Sequence, residues 1–184
     1  MTVTAFIIVL LAGCRNADRI DWHVDFVGPA LAASEDGIDF TAGVDLEPSP
    51  AMIEALERGV GITFLVSLRA SSHRLWLPGL DVRRRHRFRI DYLPLSRYYQ
   101  LTDLHNETRA TYPRFNMLVR ALREPRSWSI PLEPDDSVSL VRARIQLDRT
   151  RLPSPMRLPT WFQPQWWLKS DWYSFDPPGG DEAQ

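Results

Sequence analysis

Apolar and polar residues alternate along much of this chain. Between Ile38 and Leu46, the residues Ile38, Phe40, Ala42, Val44 and Leu46 fall on one side, with Asp39, Thr41 and Asp45 on the other, and Glu47 continues the polar row. A period of two is that of a strand with one face buried. The stretch Val60 to Leu68 repeats the pattern with Val60, Ile62, Phe64, Val66 and Leu68 inward, the clearest core strand of the chain. Val82 to Tyr92 follows it. There Val82, His86, Phe88, Ile90 and Tyr92 oppose Arg83, Arg85, Arg87, Arg89 and Asp91, and Arg84 is the one charge on the inner side. Pro78-Gly79 between the two segments marks a turn, so they are predicted to form a long hairpin. Val138 to Asp148 is another strand, with Val141, Ala143, Ile145 and Leu147 opposite Arg142, Arg144, Gln146 and Asp148. Gln165 to Phe175 reads as an aromatic strand that sends Trp166, Leu168, Ser170 and Trp172 one way.

The spacing changes at two places. Ser49 is an N-cap residue, Pro50 suits the first helical position, Met52, Ile53 and Leu56 make an apolar stripe, and Gly59 can close the turn. Pro113 to Arg123 places Phe115, Leu118, Val119 and Leu122 on one face before Pro125 stops it. Fifteen prolines in 184 residues argue for many strand ends and against long helices. The expected fold is therefore α+β, a mainly antiparallel, sandwich-like sheet structure with two short helices, in one domain spanning residues 26–175.

The amino terminus carries a different signal. Ala5 to Leu11 is an uninterrupted apolar run, too short for the roughly 20 residues of a spanning helix and of the length of a signal-peptide core. Leu11-Ala12-Gly13-Cys14 matches the lipobox of bacterial lipoproteins, which makes Cys14 a candidate lipidation site. The competing readings are an ordinary cleaved signal and an uncleaved short anchor. No charge precedes Arg15, which suggests a true start upstream of Met1. The expected organisation is a signal peptide with lipobox over 1–14, a linker over 15–25, the domain, and a polar, disordered tail over 176–184. Export to the periplasm with membrane anchoring follows.

A formal net charge of −1 gives no overall field toward nucleic acid, so none is expected as a partner. Cys14 is the only cysteine, which leaves the domain without disulfides or thiol chemistry. The sharpest local feature is the row Arg83, Arg85, Arg87 and Arg89, spaced about 6.6 Å apart on one face of a strand, a candidate surface for anionic groups or an acidic partner. The alternative is that these arginines pair with carboxylates on neighbouring strands, such as Asp39, Asp45 and Glu47. Trp166, Trp167 and Trp172, with Trp161, Phe162, Tyr173 and Phe175 nearby, are candidate docking aromatics, or else core. His23, His73, His86 and His105 have no metal-ligand spacing, and no metal or cofactor is expected. No serine stands in Gly-x-Ser-x-Gly, and Asp91, Asp103, Glu107 and Asp148 are carboxylates of the kind any chain this size offers.

Three segments together carry a family likeness: Glu54-Ala55-Leu56-Glu57-Arg58-Gly59-Val60; Leu147-Asp148 with Leu152-Pro153-Ser154-Pro155; and Trp166-Trp167-Leu168-Lys169-Ser170-Asp171-Trp172. They resemble the proteobacterial family DUF4390, exported proteins described as proline-rich signal-peptide proteins, over roughly Phe26 to Phe175. The resemblance implies export, no assigned activity, no known cofactor, and genes beside those of a nitrogen-regulation type sensor kinase and its response regulator. The lipobox cysteine departs from members that carry ordinary signals. The expected function is a non-enzymatic binding or accessory protein of the periplasm, acting on another envelope or inner-membrane protein and linked to a two-component sensor kinase. The competing class is an envelope enzyme with a site built from scattered carboxylates and histidines.

Overall fold

The structure, a computed structural model, describes residues 22–72, 81–133, 136, 138–156 and 163–178. Its strands are β1 (His23–Ser34), β2 (Gly37–Glu47), β3 (Ile62–Ser71), β4 (Asp81–Leu93), β5 (Tyr98–Asp103), β6 (Arg109–Tyr112), β7 (Arg126–Pro131), β8 (Leu140–Leu147) and β9 (Tyr173–Phe175). Helix α1 (Pro50–Glu57) lies between β2 and β3, and α2 (Phe115–Leu122) between β6 and β7. The strands form two antiparallel sheets, one of order β1-β2-β7 and one of order β6-β5-β4-β3-β8-β9. The α+β class and mainly antiparallel character expected from the pattern are what the chain adopts.

Both sheets turn their apolar residues to one shared core. Phe40, Val44 and Leu46 of β2 are fully or almost fully buried, as are Ile62, Phe64, Val66 and Leu68 of β3 and Val141, Ala143 and Ile145 of β8. Burying each large apolar side chain contributes roughly 1.5–3 kcal/mol. Aromatic rings bridge the sheets: Phe26 lies edge-on to Tyr173 at 5.7 Å and Phe40 lies 5.8 Å from Phe175. The Tyr173 hydroxyl donates to Asp25 across the same gap at 2.8 Å.

Helix α1 forms as its residues dictate. Ser49 Oγ accepts from the Met52 amide at 3.2 Å, Pro50 opens the helix, Met52 and Leu56 are fully buried, and Gly59 takes a positive φ of 82° just past the end. Helix α2 buries Leu118 and Leu122 against β2, β5 and β6. Its end presses on β2 at Gly43, where any side chain would run into the Arg123 backbone carbonyl.

The aromatic carboxyl-terminal strand requires a correction. Pro164–Trp166 is a 3-10 turn, Lys169 makes an isolated bridge with Gln146, and β9 is only Tyr173–Phe175, where Tyr173 pairs with Ala143. Between those two pairings the carboxyl-terminal segment has one residue more than β8. That extra residue reverses which side faces the core. Trp166, Leu168 and Ser170 are buried as the alternation predicts, whereas Trp172 turns to the outer face and Tyr173 and Phe175 take the inward positions.

Candidate anion-binding surface

The outer face of the six-stranded sheet is set by register. Arg83 of β4, Arg69 of β3 and Arg142 of β8 stand directly opposite one another. The next row is Arg85, Ser67 and Arg144, the next Arg87, Leu65 and Gln146, and the last contains Arg89 beside Thr63. Strands lie 4.7–4.9 Å apart, so the arginines of neighbouring strands are packed side by side. Like charges directly opposite across a sheet are unfavourable.

Some of this charge is neutralised in place. Arg87 Nε donates to Asp148 at 3.0 Å, Arg89 Nε donates to Asp91 at 2.8 Å, and Arg83 pairs with Asp81. Asp148 is buried; burial pulls its pKa up, but hydrogen bonds from the Thr150 hydroxyl and from Arg87 outweigh this and hold it below the ordinary 3.8. The carboxylates suggested by sequence as partners, Asp39, Asp45 and Glu47, lie on β2 of the other sheet. Asp45 pairs there with Arg123 at 2.7 Å and with His23 at 3.5 Å. The net charge near zero thus hides a segregation of sign between the two sheets.

Arg69, Arg85, Arg142 and Arg144 make no salt bridge among the described residues, although Asp81, paired with Arg83, also attracts Arg69. Trp172 is inserted among them, its ring centroid 4.9 Å from the Arg69 guanidinium and 4.5 Å from that of Arg144. Arg144 Nε is buried with no hydrogen-bond acceptor among the described residues. Burial, and next the charge of Arg69, press the Arg144 pKa below its ordinary 12.5. A cleft of about 90 Å³ opens between Arg69, Arg83, Arg85, Arg144 and Trp172, with Ser67 in its lining.

Of the four arginines singled out by sequence, Arg83, Arg87 and Arg89 hold carboxylates on this face and Arg85 holds none. Sequence reasoning left out Arg69 and Ser67, and read Arg142 and Arg144 only as a second basic face, because strand order was not legible. Of the tryptophans, Trp166 is core, Trp172 belongs to the arginine cluster, and Trp167 is half exposed beside a cleft of about 420 Å³ shared with Asp148 and Lys169. Cys14, His73, Trp161 and Phe162 lie outside the described residues.

Three further candidate groups, Asp103, His86 and His105, make contacts within the fold. Asp103 accepts from the His105 and Asn106 amides. His86 stacks edge-on to His105 at 5.1 Å; burial, then the neighbouring His105, hold its pKa below 6.5 against the pull of Asp103. Among the described residues no group of three His, Cys, Asp or Glu side chains could hold a metal, and no helix is long and apolar enough to cross a membrane.

No curated protein and no solved structure matches the chain. Residues 26–176 match the model of a family described as a domain of unknown function, DUF4390, a span that runs from the fourth residue of β1 past the end of β9. On that match, the chain belongs to the DUF4390 family.

Proposed function

We propose that this is a non-enzymatic binding or accessory protein of the bacterial envelope, held at the membrane through its amino terminus, that engages another envelope component through the outer face of its six-stranded sheet. The observation that carries the reading is the set of four arginines, Arg69, Arg85, Arg142 and Arg144, packed on adjacent strands without a salt-bridging carboxylate among the described residues. Like charges set side by side cost a folded sheet stability, which points to a use in what the face holds. The Leu11-Ala12-Gly13-Cys14 tetrapeptide supports export and anchoring, and the family resemblance supports a periplasmic partner linked to a sensor kinase. Of the four candidate carboxylates Asp91, Asp103, Glu107 and Asp148, three are engaged: Asp91 with Arg89, Asp103 with turn amides, and Asp148 with Arg87 and Thr150.

The test is cell fractionation combined with photo-crosslinking from native membranes, with a probe at Arg85 and a Cys14→Ala control. The expected result is a membrane-associated chain that captures one defined envelope component, with both association and capture weakened by Cys14→Ala. A chain retained in the cytoplasm, or capture of nothing specific, contradicts the reading.

A further inference from the structure

We propose that the cleft between Arg69, Arg85, Arg144 and Trp172 is a binding site for a phosphate group, presented either as a free phosphate or pyrophosphate anion or as the headgroup of an anionic lipid. This deepens the reading of the outer face as a binding surface and rests on it.

Size is the first argument. A cleft of about 90 Å³ has room for one tetrahedral oxyanion. Donor geometry is the second. Arg85 and Arg144 flank Ser67 in register from opposite sides, and Arg69 lies one row along on the same strand as Ser67. Guanidiniums from three neighbouring strands can therefore reach a common anion. A carboxylate has two oxygens, which one guanidinium fork occupies; a phosphate offers further acceptor oxygens that can take forks from several arginines. The site is thus better matched to phosphate than to an acidic side chain.

The third argument is what the cleft leaves unsatisfied. Arg144 Nε is a buried donor without an acceptor among the described residues, and buried donors are rarely left so. Ser67 supplies a hydroxyl and Gln146 an amide in the same lining, whereas no carboxylate among the described residues lines it. Trp172 forms an apolar wall that holds the Arg69 and Arg144 guanidiniums on its ring, so their orientation is set before a ligand arrives. A dianion entering the cleft would also relieve the repulsion among the arginines.

The experiment titrates the full chain at low ionic strength, in a phosphate-free buffer, with inorganic phosphate and pyrophosphate, followed by calorimetry and tryptophan fluorescence. Co-sedimentation with vesicles of phosphatidylcholine, with and without phosphatidylglycerol, forms the second arm. Arg144→Gln and Ser67→Ala are compared with Arg58→Gln, whose partner Glu54 lies on α1 away from the cleft; thermal melting confirms that each folds. Saturable binding of the free anions, weakened about tenfold or more in Arg144→Gln and unchanged in Arg58→Gln, supports the site with a soluble ligand. Binding to phosphatidylglycerol vesicles that pyrophosphate displaces, with the same variant pattern, supports it with a lipid phosphate.

Absence of binding in both arms overturns the proposal. So does binding that is equal in Arg144→Gln, Ser67→Ala and Arg58→Gln, or binding only to an acidic polypeptide such as polyglutamate. A chain that fails here yet still captures an envelope protein through a probe at Arg85 loses the phosphate site and keeps the broader reading.

Discussion

The pair Arg69 and Arg142 gives the most direct energetic consequence of the register. They stand directly opposite on β3 and β8, both on the outer face, with no carboxylate between them among the described residues. A like-charged pair in this position costs about 0.2–1 kcal/mol. Arg142→Gln removes that repulsion and keeps much of the aliphatic stem, so the variant should be more stable by that amount. For a chain of this length, each kcal/mol moves the melting temperature by roughly 2–4 °C. Arg69→Gln removes that repulsion and the one with Arg83, but also the attraction of Asp81 and one guanidinium from Trp172, a contact worth about 0.5–1 kcal/mol, and should come out near neutral. Urea denaturation of the wild type, both single variants and the double variant at about 10 mM salt isolates the coupling between the two positions. Its sign should be unfavourable to the native state. The coupling should shrink at 150 mM salt, where the Debye length has fallen from roughly 30 Å to about 8 Å. A coupling of zero, or one that favours the native state at low salt, would refute the claim that this face is held under charge repulsion.

Three further outcomes follow from the same packing. Asp148→Asn should cost about 2–3 kcal/mol, because Arg87 and Thr150 lose a charged acceptor in a buried place; since the folded pKa is depressed, the wild-type contribution is complete above pH ~4 and disappears as pH falls through the lower folded value, and an acid titration of stability should show that limb flattened in the variant. His86 is also depressed from 6.5, so the fold favours its neutral form, and stability should decline as pH drops below about 6.5 and on to the lower folded value; His86→Leu should remove that slope in denaturation midpoints, and an unchanged slope would place the titration elsewhere. Gly43→Ala should destabilise by at least ~1–3 kcal/mol, read by thermal melting, because the new methyl group meets the Arg123 backbone carbonyl, which is tied into the end of α2.

Much of the fold was legible where one face is core and the other water. β2, β3, β4 and β8 alternate cleanly, and the Ser49-Pro50 start of α1 needs only local rules. β1 was not read because its register breaks between Val27 and Ala30, at Gly28-Pro29, and because few of its residues are buried. β5 and β6 are short and largely exposed, which leaves no period to detect, and β7 is six residues that follow Pro125 and end at Pro131. The reversal at Trp172 depends on one extra residue between pairings with β8, information held in the partner strand and not in the segment itself.

The site was half legible for the same reason. The arginines of β4 announce themselves by spacing, and Asp91 sits two residues from Arg89 on the same side. Arg69, Arg142 and Arg144 join them only because β3 is central, between β4 and β8, and strand order is a property of the folded sheet. Which arginines of β4 are paired is decided by Asp81 and Asp91 of the same strand and by Asp148 just past β8, and not by the acidic row of β2.

The central claim, that the outer face of the six-stranded sheet is the working surface, is tested most directly by comparing two photo-reactive probes in living cells. One replaces Lys169, exposed at the margin of the arginine face; the other replaces Ser127, exposed on β7 of the smaller sheet. The account predicts a defined lipid or protein adduct from position 169, lost when Arg69, Arg142 and Arg144 are changed to Gln, and only background from position 127. Equal labelling from both faces, or a defined adduct from position 127 alone, would contradict it.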